Sequence, residues 1–397
     1  VISVKIQRAH KIRLCPNNKQ AGALARACGC ARFAFNWGLA EWKRQYAAGQ
    51  KPNSNKLKMQ FNAIKRQDFP FVLEVTKCAC EQSFADLGNA FRGFFRNLKV
   101  GRKPGYPRFK RKGIRDSFYI ANDKLRLEGK FVRIPKLGLV RLREPLRFEG
   151  KILSAVVSRV ADMWFISVQV EQEVVELKAC GPVLGVDVGV KALAVVSDGR
   201  TFENPKALRR AEIRLRRLQK SVSRKKKGSQ NRKKAILKLQ RQHFRVVCVR
   251  QDALHKATTA ITTGCSVLVT EDLHVAGMLK NRRLSKCLSD ASLAEFQRQL
   301  KYKSGWQGIS LVKADRFYPS SKTCSGCGSV KAELSLSTRT YVCESCGLKL
   351  GRDLNAAINL RNLAVGSTVS ACRLGSSGSS FEKNETTDWA GILHKSA

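Results

Sequence analysis

Apolar residues along this chain change their period from one stretch to the next. Residues 2–14 alternate and then run apolar, which predicts a strand. From Asn18 to about Ala48, Leu24, Cys28, Ala31, Phe35 and Leu39 recur every three or four positions, as on one face of a helix. Gly49 to Asn55 reads as a loop. Helices are predicted again over 56–67 and 76–98, the second with Cys80, Phe84, Leu87, Phe91, Phe94 and Leu98 on one face. Residues 15–100 are therefore expected to be an all-α unit. Over 117–172 the period falls to two, in short strands at Phe118–Ile120, Lys124–Leu127, Phe131–Ile134, Leu139–Leu142, Ile152–Val160 and Trp164–Glu171. Gly129, Gly138 and Gly150 punctuate them. Strands this short and this numerous predict a small barrel, closed to remove its edges. The N-terminal strand could pair into it, which would make the helical unit an insertion.

The pattern turns mixed from Val183. A meander is predicted over 183–188, 192–197 and 200–203, with Asp198-Gly199 as the tight turn. Residues 206–247 read as a helical hairpin whose seam is Leu208, Ala211, Leu215, Leu218 and Val222 and whose tip is Gly228-Ser229. A helix through His255, a strand over 266–270, a helix over about 290–304 and a strand over 309–313 follow. A last helix runs from Asp353 to near Ala364. Beyond it, Gly366 to Ala397 is Ser/Gly-rich and is expected to be disordered. The fold class is multidomain α/β.

Charge changes this picture most. The 397 residues carry 75 Lys and Arg against 30 acids, a net charge of +45. Such a field attracts polyanions, and release of their counterions makes binding favourable and salt-dependent. Between residues 205 and 250 there are 18 Lys or Arg and one acid, Glu212. That density would repel itself without a counter-polyanion, so the hairpin, including Arg224, Lys225, Lys226 and Lys227 at its tip, is expected to bind nucleic acid. Lys99 to Arg115 holds eight basic residues and no acid, interleaved with Tyr106 and Phe109. Its Arg108, Lys110, Arg111 and Lys112 can pair with phosphates while the rings stack. Arg282 and Arg283 could line a substrate cleft. No apolar run of about 18 residues and no signal-peptide pattern occurs, so no membrane partner and a cytoplasmic location are expected. The chain opens on Val1 where Met is usual, as a trimmed or non-standard start would give. Of the 14 cysteines, ten lie outside paired motifs, Cys78, Cys80, Cys248 and Cys265 among them, and read as buried free thiols.

Three carboxylates carry the candidate chemistry. Asp187 lies in the first strand of the meander, Glu271 ends the strand after the hairpin, and Asp353 opens the last helix. This is the order of an RNase H-like nuclease core. Ligands gather at the carboxyl ends of parallel strands, and a helix start can swing a third carboxylate beside them. Together they can hold two Mg²⁺ ions about 3.5–4 Å apart for phosphodiester hydrolysis. Each alone has a plainer reading: Asp187 as a turn residue, Glu271 as a solvated strand end, Asp353 as an N-cap. Asp272 and Asp290 are weaker ligand candidates. An actin-like ATPase would place a second Asp-Gly phosphate loop elsewhere than the Asp198-Gly199 hairpin.

Cys324 and Cys327 are paired with Cys343 and Cys346 across fifteen intervening residues, the spacing of a structural Zn²⁺ site. Gly328 and Gly347 follow each pair, where tight turns leave room for backbone N–H groups to reach the sulfurs. Four thiolates would close a tetrahedron and leave no position for a substrate.

Several stretches resemble the transposon-encoded TnpB proteins, relatives of the type V CRISPR effectors. They are Arg13-Leu-Cys-Pro16 with Gln20, Ala31-Arg-Phe-Ala-Phe-Asn36, Pro107-Arg-Phe-Lys-Arg-Lys112, Gly185-Val-Asp-Val-Gly-Val-Lys191, Asn281-Arg-Arg-Leu284 with Ser289-Asp290, Pro319-Ser-Ser-Lys-Thr-Cys324 and Arg352-Asp-Leu-Asn-Ala-Ala357. The resemblance spans about residues 5–365. It implies a wedge barrel whose first strand is 1–14 and whose remainder is 105–177, and a helical recognition lobe over 15–104. It further implies a RuvC nuclease domain over 178–319 containing the 206–247 hairpin, a zinc ribbon over 320–350, a final nuclease helix over 351–365 and a tail over 366–397. It implies RNA-guided cleavage of double-stranded DNA through unwound single strands, with guide RNA from the transposon end and a short adjacent motif read on the target. The protein would act as a monomeric ribonucleoprotein in a bacterial or archaeal cell, near the nucleoid. Asp187, Glu271 and Asp353 take the catalytic Mg²⁺ places, and Cys324, Cys327, Cys343 and Cys346 the zinc places. Lys77 and Gln82 lie near the motif-reading stretch, with Glu81 where a neutral donor is expected. Gly351 stands where relatives often have Asp, a position that is not a metal ligand. Two rival functions remain at this level: a nucleic-acid-binding regulator of transposition with an unused nuclease core, and an unguided resolvase-type nuclease.

Overall fold

The structure is a computed structural model and describes residues 3–175, 179–335 and 337–373. The chain divides into two compact units, one of residues 1–177 with 205–255 and one of 178–204 with 256–397.

In the first unit, β1 (Ser3–Cys15) is followed by α1 (Asn18–Ala47), α2 (Ser54–Ile64) and α3 (Lys77–Lys99). Asn17 caps α1 in a reciprocal box with Gln20, which satisfies the first free N–H groups of a 30-residue helix. The predicted face of α1 is buried, with Trp42 extending it to a stacked contact on Phe91 of α3 at 3.9 Å between ring centroids. Gly38 permits that approach, because a Cβ there would meet Leu87 and Phe84 at 3.1 Å. On α3, Cys80, Phe84, Leu87 and Phe91 are buried, but Leu98 near its end is exposed, so the predicted stripe leaves the core before the helix stops.

The strands are β2 (Ser117–Ala121), β3 (Arg126–Glu128), β4 (Phe131–Ile134), β5 (Gly138–Leu142), β6 (Lys151–Val160) and β7 (Met163–Val175). With β1 they form one antiparallel sheet of order β2-β6-β7-β1-β5-β4-β3. β1 pairs along β7, from Val4 opposite Val174 to Leu14 opposite Trp164, so the three helices are inserted after the first strand. Inward residues of the strands, from Phe118 and Ile120 to Val140 and Leu142, share one core with α1 and α3, and Leu127 of β3 packs against it. The hydrogen-bonded order nonetheless has two ends, β2 and β3, joined through the short turn Asn122–Lys124. No β2–β3 ladder closes it among the described residues, which corrects the expectation of a closed barrel.

The basic hairpin is α4 (Ala207–Ser223) and α5 (Gln230–Thr262). α5 is one helix of 33 residues where the sequence pattern predicts a break after 247, because no Gly or Pro interrupts it. Leu208, Ala211 and Leu215 pack on Leu239 and Val246. The hairpin is anchored on the sheet by Phe244 against Phe165 and by Arg241 paired with Asp162, Nε to Oδ1 3.0 Å. Residues 205–255 therefore belong to the first unit, not with the residues that flank them in sequence.

The second unit contains β8 (Val183–Val188), β9 (Ala192–Val196), β10 (Thr201–Glu203), β11 (Val267–Glu271), α6 (Val275–Met278), α7 (Ser285–Ala291), α8 (Leu293–Gln307), β12 (Ser310–Ala314), β13 (Thr340–Val342), β14 (Lys349–Gly351) and α9 (Arg352–Arg373). Its main sheet runs β10-β9-β8-β11-β12, with β8, β11 and β12 parallel and the β8–β9–β10 meander antiparallel. Gly199 makes the Asp198-Gly199 turn at φ +91°. The short helices α6 and α7 have no sequence counterpart, since neither is long enough to show a period. α9 continues to Arg373, past the expected end near Ala364, so 366–373 is helical and the rest of the expected tail lies outside the described residues. Cys28, Cys30, Cys80 and Cys265 are buried as expected, whereas Cys78 is half-buried and Cys15, Cys180, Cys248 and Cys287 are exposed, against the expectation of buried thiols. Among the described residues no helix is long and apolar enough to cross a membrane.

Candidate active site and cysteine cluster

The sheet register brings the first two carboxylates level. Val186 of β8 pairs with Thr270 of β11, so Asp187 and Glu271 each stand one residue further on at the carboxyl ends of adjacent parallel strands. The third arrives by close backbone packing. A Cβ on Gly185 would lie 2.0 Å from the Ala357 carbonyl oxygen, so only glycine lets α9 rest on β8 here. Asp353 sits four residues before Ala357, about one turn back along α9. It is inside the first turn of a helix that starts at Arg352, and so is not its N-cap.

Asp187 registers the convergence. Its carboxyl is pushed up to about 7 by burial, then by the charges of Glu271 and Asp353, against smaller relief from Arg352 and the Val188 backbone N–H. A partly buried carboxylate beside two like charges is a site that wants a cation. Glu271 accepts a hydrogen bond from Ser320 Oγ at 2.8 Å, and its backbone carbonyl accepts one from Gln297 of α8 at 3.4 Å. Arg352 Nε lies 3.5 Å from Asp353 Oδ1. Asp272, next to Glu271, is turned instead to Lys313 and Arg316, each at 2.9 Å, which hold its carboxyl below the usual range. Asp290 is buried on α7. The recess of about 300 Å³ lined by Val183, Leu184, Arg200 and Arg361 lies at the opposite end of β8 and is not part of this site.

The four cysteines form the one group among the described residues whose metal-ligating atoms all lie within 4.8 Å of one another. Two similar turns build it. Gly328 N–H reaches Cys324 O at 3.0 Å and Gly347 N–H reaches Cys343 O at 3.1 Å, with both glycines at positive φ, +78° and +74°. Backbone N–H groups then aim at sulfur. Those of Cys346 and Ser345, aided by neighbouring sulfurs, bring Cys343 down to about 6. Burial would raise Cys324, but the N–H groups of Cys327 and Gly326 outweigh it and lower the thiol. The Leu348 N–H lowers Cys346, yet sulfur contacts with Cys327 and Cys324 hold its proton and leave it at about 12. The sulfurs thus share protons that a soft divalent metal could displace. Fully buried Tyr341 supports the cluster and donates to Lys322 O at 3.2 Å.

The other sequence candidates are dispersed. Lys77 begins α3 and pairs with Glu81 at 3.5 Å, while Gln82 donates to Asp86 at 3.2 Å. Arg108, Lys110, Arg111 and Lys112 lie in the irregular stretch before β2. Lys110 is partly structural: its backbone exchanges hydrogen bonds with Asn36 of α1 at 2.7 and 3.0 Å, and its ammonium sits 4.2 Å over the Phe35 ring. Arg224 to Lys227 form the turn between α4 and α5, whose Lys225 carbonyl accepts from Arg232 at 3.0 Å. Arg282 and Arg283 are exposed between α6 and α7. Sequence reasoning missed Ser320, Asn355 and Asn359. The two asparagines are buried four apart on α9, a spacing visible in Arg352-Asp-Leu-Asn-Ala-Ala-Ile-Asn359.

Comparison with known proteins places these features in context. Residues 165–282 match a family described as "Probable transposase", and residues 294–360 match one described as "Cas12f1-like, TNB domain". Residues 6–51 match a helix-turn-helix domain; here that stretch is β1 and the single helix α1. A Streptomyces pristinaespiralis protein named for RNA-guided DNA endonuclease activity is 35% identical over 378 residues, 93% of this chain and 91% of its own. InsQ of Escherichia coli K12, named for the same activity, is 32% identical over 388 residues, 93% of this chain and 94% of its own. A solved Cas12f1–sgRNA–target DNA complex holds a chain of similar fold, with TM-score 0.52 and 15% identity over 90% of this chain and 99% of that one.

Proposed function

The chain belongs to the TnpB family, and from that premise we propose that it is an RNA-guided, Mg²⁺-dependent DNA endonuclease with one cleavage centre at Asp187, Glu271 and Asp353. The observation that carries the reading is the placing of these three carboxylates at one end of the second unit's sheet by the Val186–Thr270 register and by α9 packed on Gly185, with the raised Asp187 in accord. The strand order β10-β9-β8-β11-β12, with an antiparallel meander followed by parallel strands, supports an RNase H-like core of RuvC type. The seven-stranded sheet with its helical insertion fits the wedge and recognition lobes.

The donor set fits magnesium: three carboxylates are hard oxygen ligands, and the repulsion felt by Asp187 is what a divalent cation relieves. A pair of such ions, when bound, supplies Lewis acidity for attack of water on a phosphodiester. This chain's residues do the positioning. Asp187 and Glu271 are held at fixed height by the parallel ladder, and Asp353 by the contact of α9 on Gly185. The cysteine cluster fits one structural Zn²⁺, because four sulfurs complete a tetrahedron and backbone N–H groups stabilise the thiolates. The excess of cations suits a guide RNA from the transposon end and a DNA target whose sequence is read by base pairing.

The test is to express the protein with its native flanking DNA, sequence the RNA that co-purifies, and assay cleavage of a duplex matching the RNA tail. A single dominant RNA and Mg²⁺-dependent cutting that Asp187→Ala abolishes without loss of RNA are expected. A heterogeneous pool removed by moderate salt, or cutting retained by Asp187→Ala, would overturn the reading.

A further inference from the structure

Ser320 lies between the two metal-type sites of the second unit and touches one directly. It is buried, at 4% exposure, and its hydroxyl donates to Glu271 Oε1 at 2.8 Å. Its own backbone is gripped on both sides: its N–H donates to Tyr318 O at 2.8 Å, and its carbonyl accepts from Asn359 Nδ2 at 2.8 Å. Asn359 also donates to Thr323 O at 2.6 Å. One turn earlier on α9, Asn355 donates to the same Thr323 oxygen at 2.7 Å and accepts from Ser325 N–H at 2.9 Å. Thr323 and Ser325 flank Cys324. The turn is closed on itself by Thr323 Oγ1 and the Lys322 N–H, which donate to Pro319 O at 2.9 and 3.0 Å.

Two asparagine amides buried at 0% and 3% exposure on a helix are costly unless paired. Here every partner just described belongs to residues 320–325 and is made of backbone. The amides are satisfied only while that stretch stays in place, so the network is an all-or-none clamp. It holds α9, which carries Asp353, to the start of the cysteine cluster, and Ser320 extends the clamp to Glu271.

We infer that Ser320 is a positioning residue that fixes the Glu271 carboxylate for its cation, and that Asn359 holds Ser320 in place from α9. The inference rests on the assignment of Glu271 as a ligand. A hydroxyl donating to Oε1 leaves Oε2 as the freer oxygen and removes the rotational freedom of a side chain at a strand end. Outer partners of ligating carboxylates are worth about 10–100-fold in metal affinity. Ser320 makes no side-chain contact with the cysteine turn, so zinc content is the control for folding of Ser320→Ala.

The experiment measures Mn²⁺ binding to the full-length chain freed of RNA, zinc content per chain, and the Mg²⁺ concentration for half-maximal cleavage of the reconstituted complex. Four proteins are compared: wild type, Ser320→Ala, Asn359→Ala and Asp187→Ala. Ser320→Ala is expected to weaken Mn²⁺ about tenfold at unchanged zinc. Its half-maximal Mg²⁺ should rise in step, with most of the rate recovered at saturating Mg²⁺. Asn359→Ala should shift both in the same direction. If Ser320→Ala binds Mn²⁺ like wild type while Asp187→Ala does not, the positioning role is wrong and the active-site assignment stands. If Ser320→Ala loses zinc, its role is in the fold and the inference is again wrong. If Asp187→Ala itself binds Mn²⁺ like wild type, the assignment beneath the inference fails.

Discussion

The carboxylate site and the cysteine cluster belong to one unit, yet they handle charge in opposite ways. Asp187 is pushed up to about 7 because burial and two like charges are left largely uncompensated. Cys343 is pulled down to about 6 because backbone N–H groups point at its sulfur. The cysteine cluster is thus preorganised by its own turns, with four sulfurs close enough together to hold one metal ion. The carboxylates remain mutually repelling until a cation arrives. A closed, prestabilised set suits a structural ion, and an open, strained set suits ions that must also meet a substrate.

The contrast can be broken most sharply from each side by one substitution. Asp187→Ala should cost several orders of magnitude in cleavage while leaving zinc and RNA in place, measured as single-turnover cutting with zinc analysis alongside. Cys343→Ser should do the reverse in cause: zinc is lost first. Structural zinc contributes about 10–16 kcal/mol in small domains, so residues 320–350 should become protease-sensitive, and cleavage should fall although no carboxylate has changed. Retention of cutting after zinc loss would show that the two sites are independent.

A smaller effect is expected at the packing that assembles the carboxylates. Gly185→Ala places a Cβ where only 2.0 Å separates it from the Ala357 oxygen, so α9 must shift. Overpacking of this kind costs about 1–3 kcal/mol. Denaturant unfolding should report that loss, and Mn²⁺ affinity should fall because Asp353 moves with the helix. An unchanged affinity would mean that α9 does not set the third ligand.

The mildest test is pH. The folded carboxyl of Asp187 titrates near 7, well above an unfolded Asp at about 3.9. The folded state therefore binds this proton more tightly, and metal-free stability falls as pH rises from about 4 through 7. Mg²⁺ should offset this loss, so the shift in thermal midpoint on adding Mg²⁺ should be larger at pH 8 than at pH 6. An equal shift at both would mean that Asp187 is not under the cation.

Much of the placement of both candidate sites was legible in the sequence. The paired cysteines with Gly328 and Gly347 announce their turns through local spacing alone. The order of Asp187, Glu271 and Asp353 along strand, strand and helix could be read because each sits at an element boundary with its own period. Ser320 was not legible, because a serine in a turn has many uses, and only its 2.8 Å contact with Glu271 distinguishes this one. Nor was the attachment of the basic hairpin to the first unit, which depends on Phe165 with Phe244 and Asp162 with Arg241, partners about eighty residues apart.

By itself, then, the sequence determined the long periodic elements, the net charge, and the candidate ligand types and their order, because periodicity, turn chemistry and charge act within a few residues of one another. Tertiary structure alone decided that the seven-stranded ladder stays open between β2 and β3, and that Asn355 and Asn359 clamp the cysteine turn to the helix carrying Asp353. Those outcomes depend on which distant backbone groups pair with a strand edge or satisfy a buried donor, and that is settled only when the whole core packs.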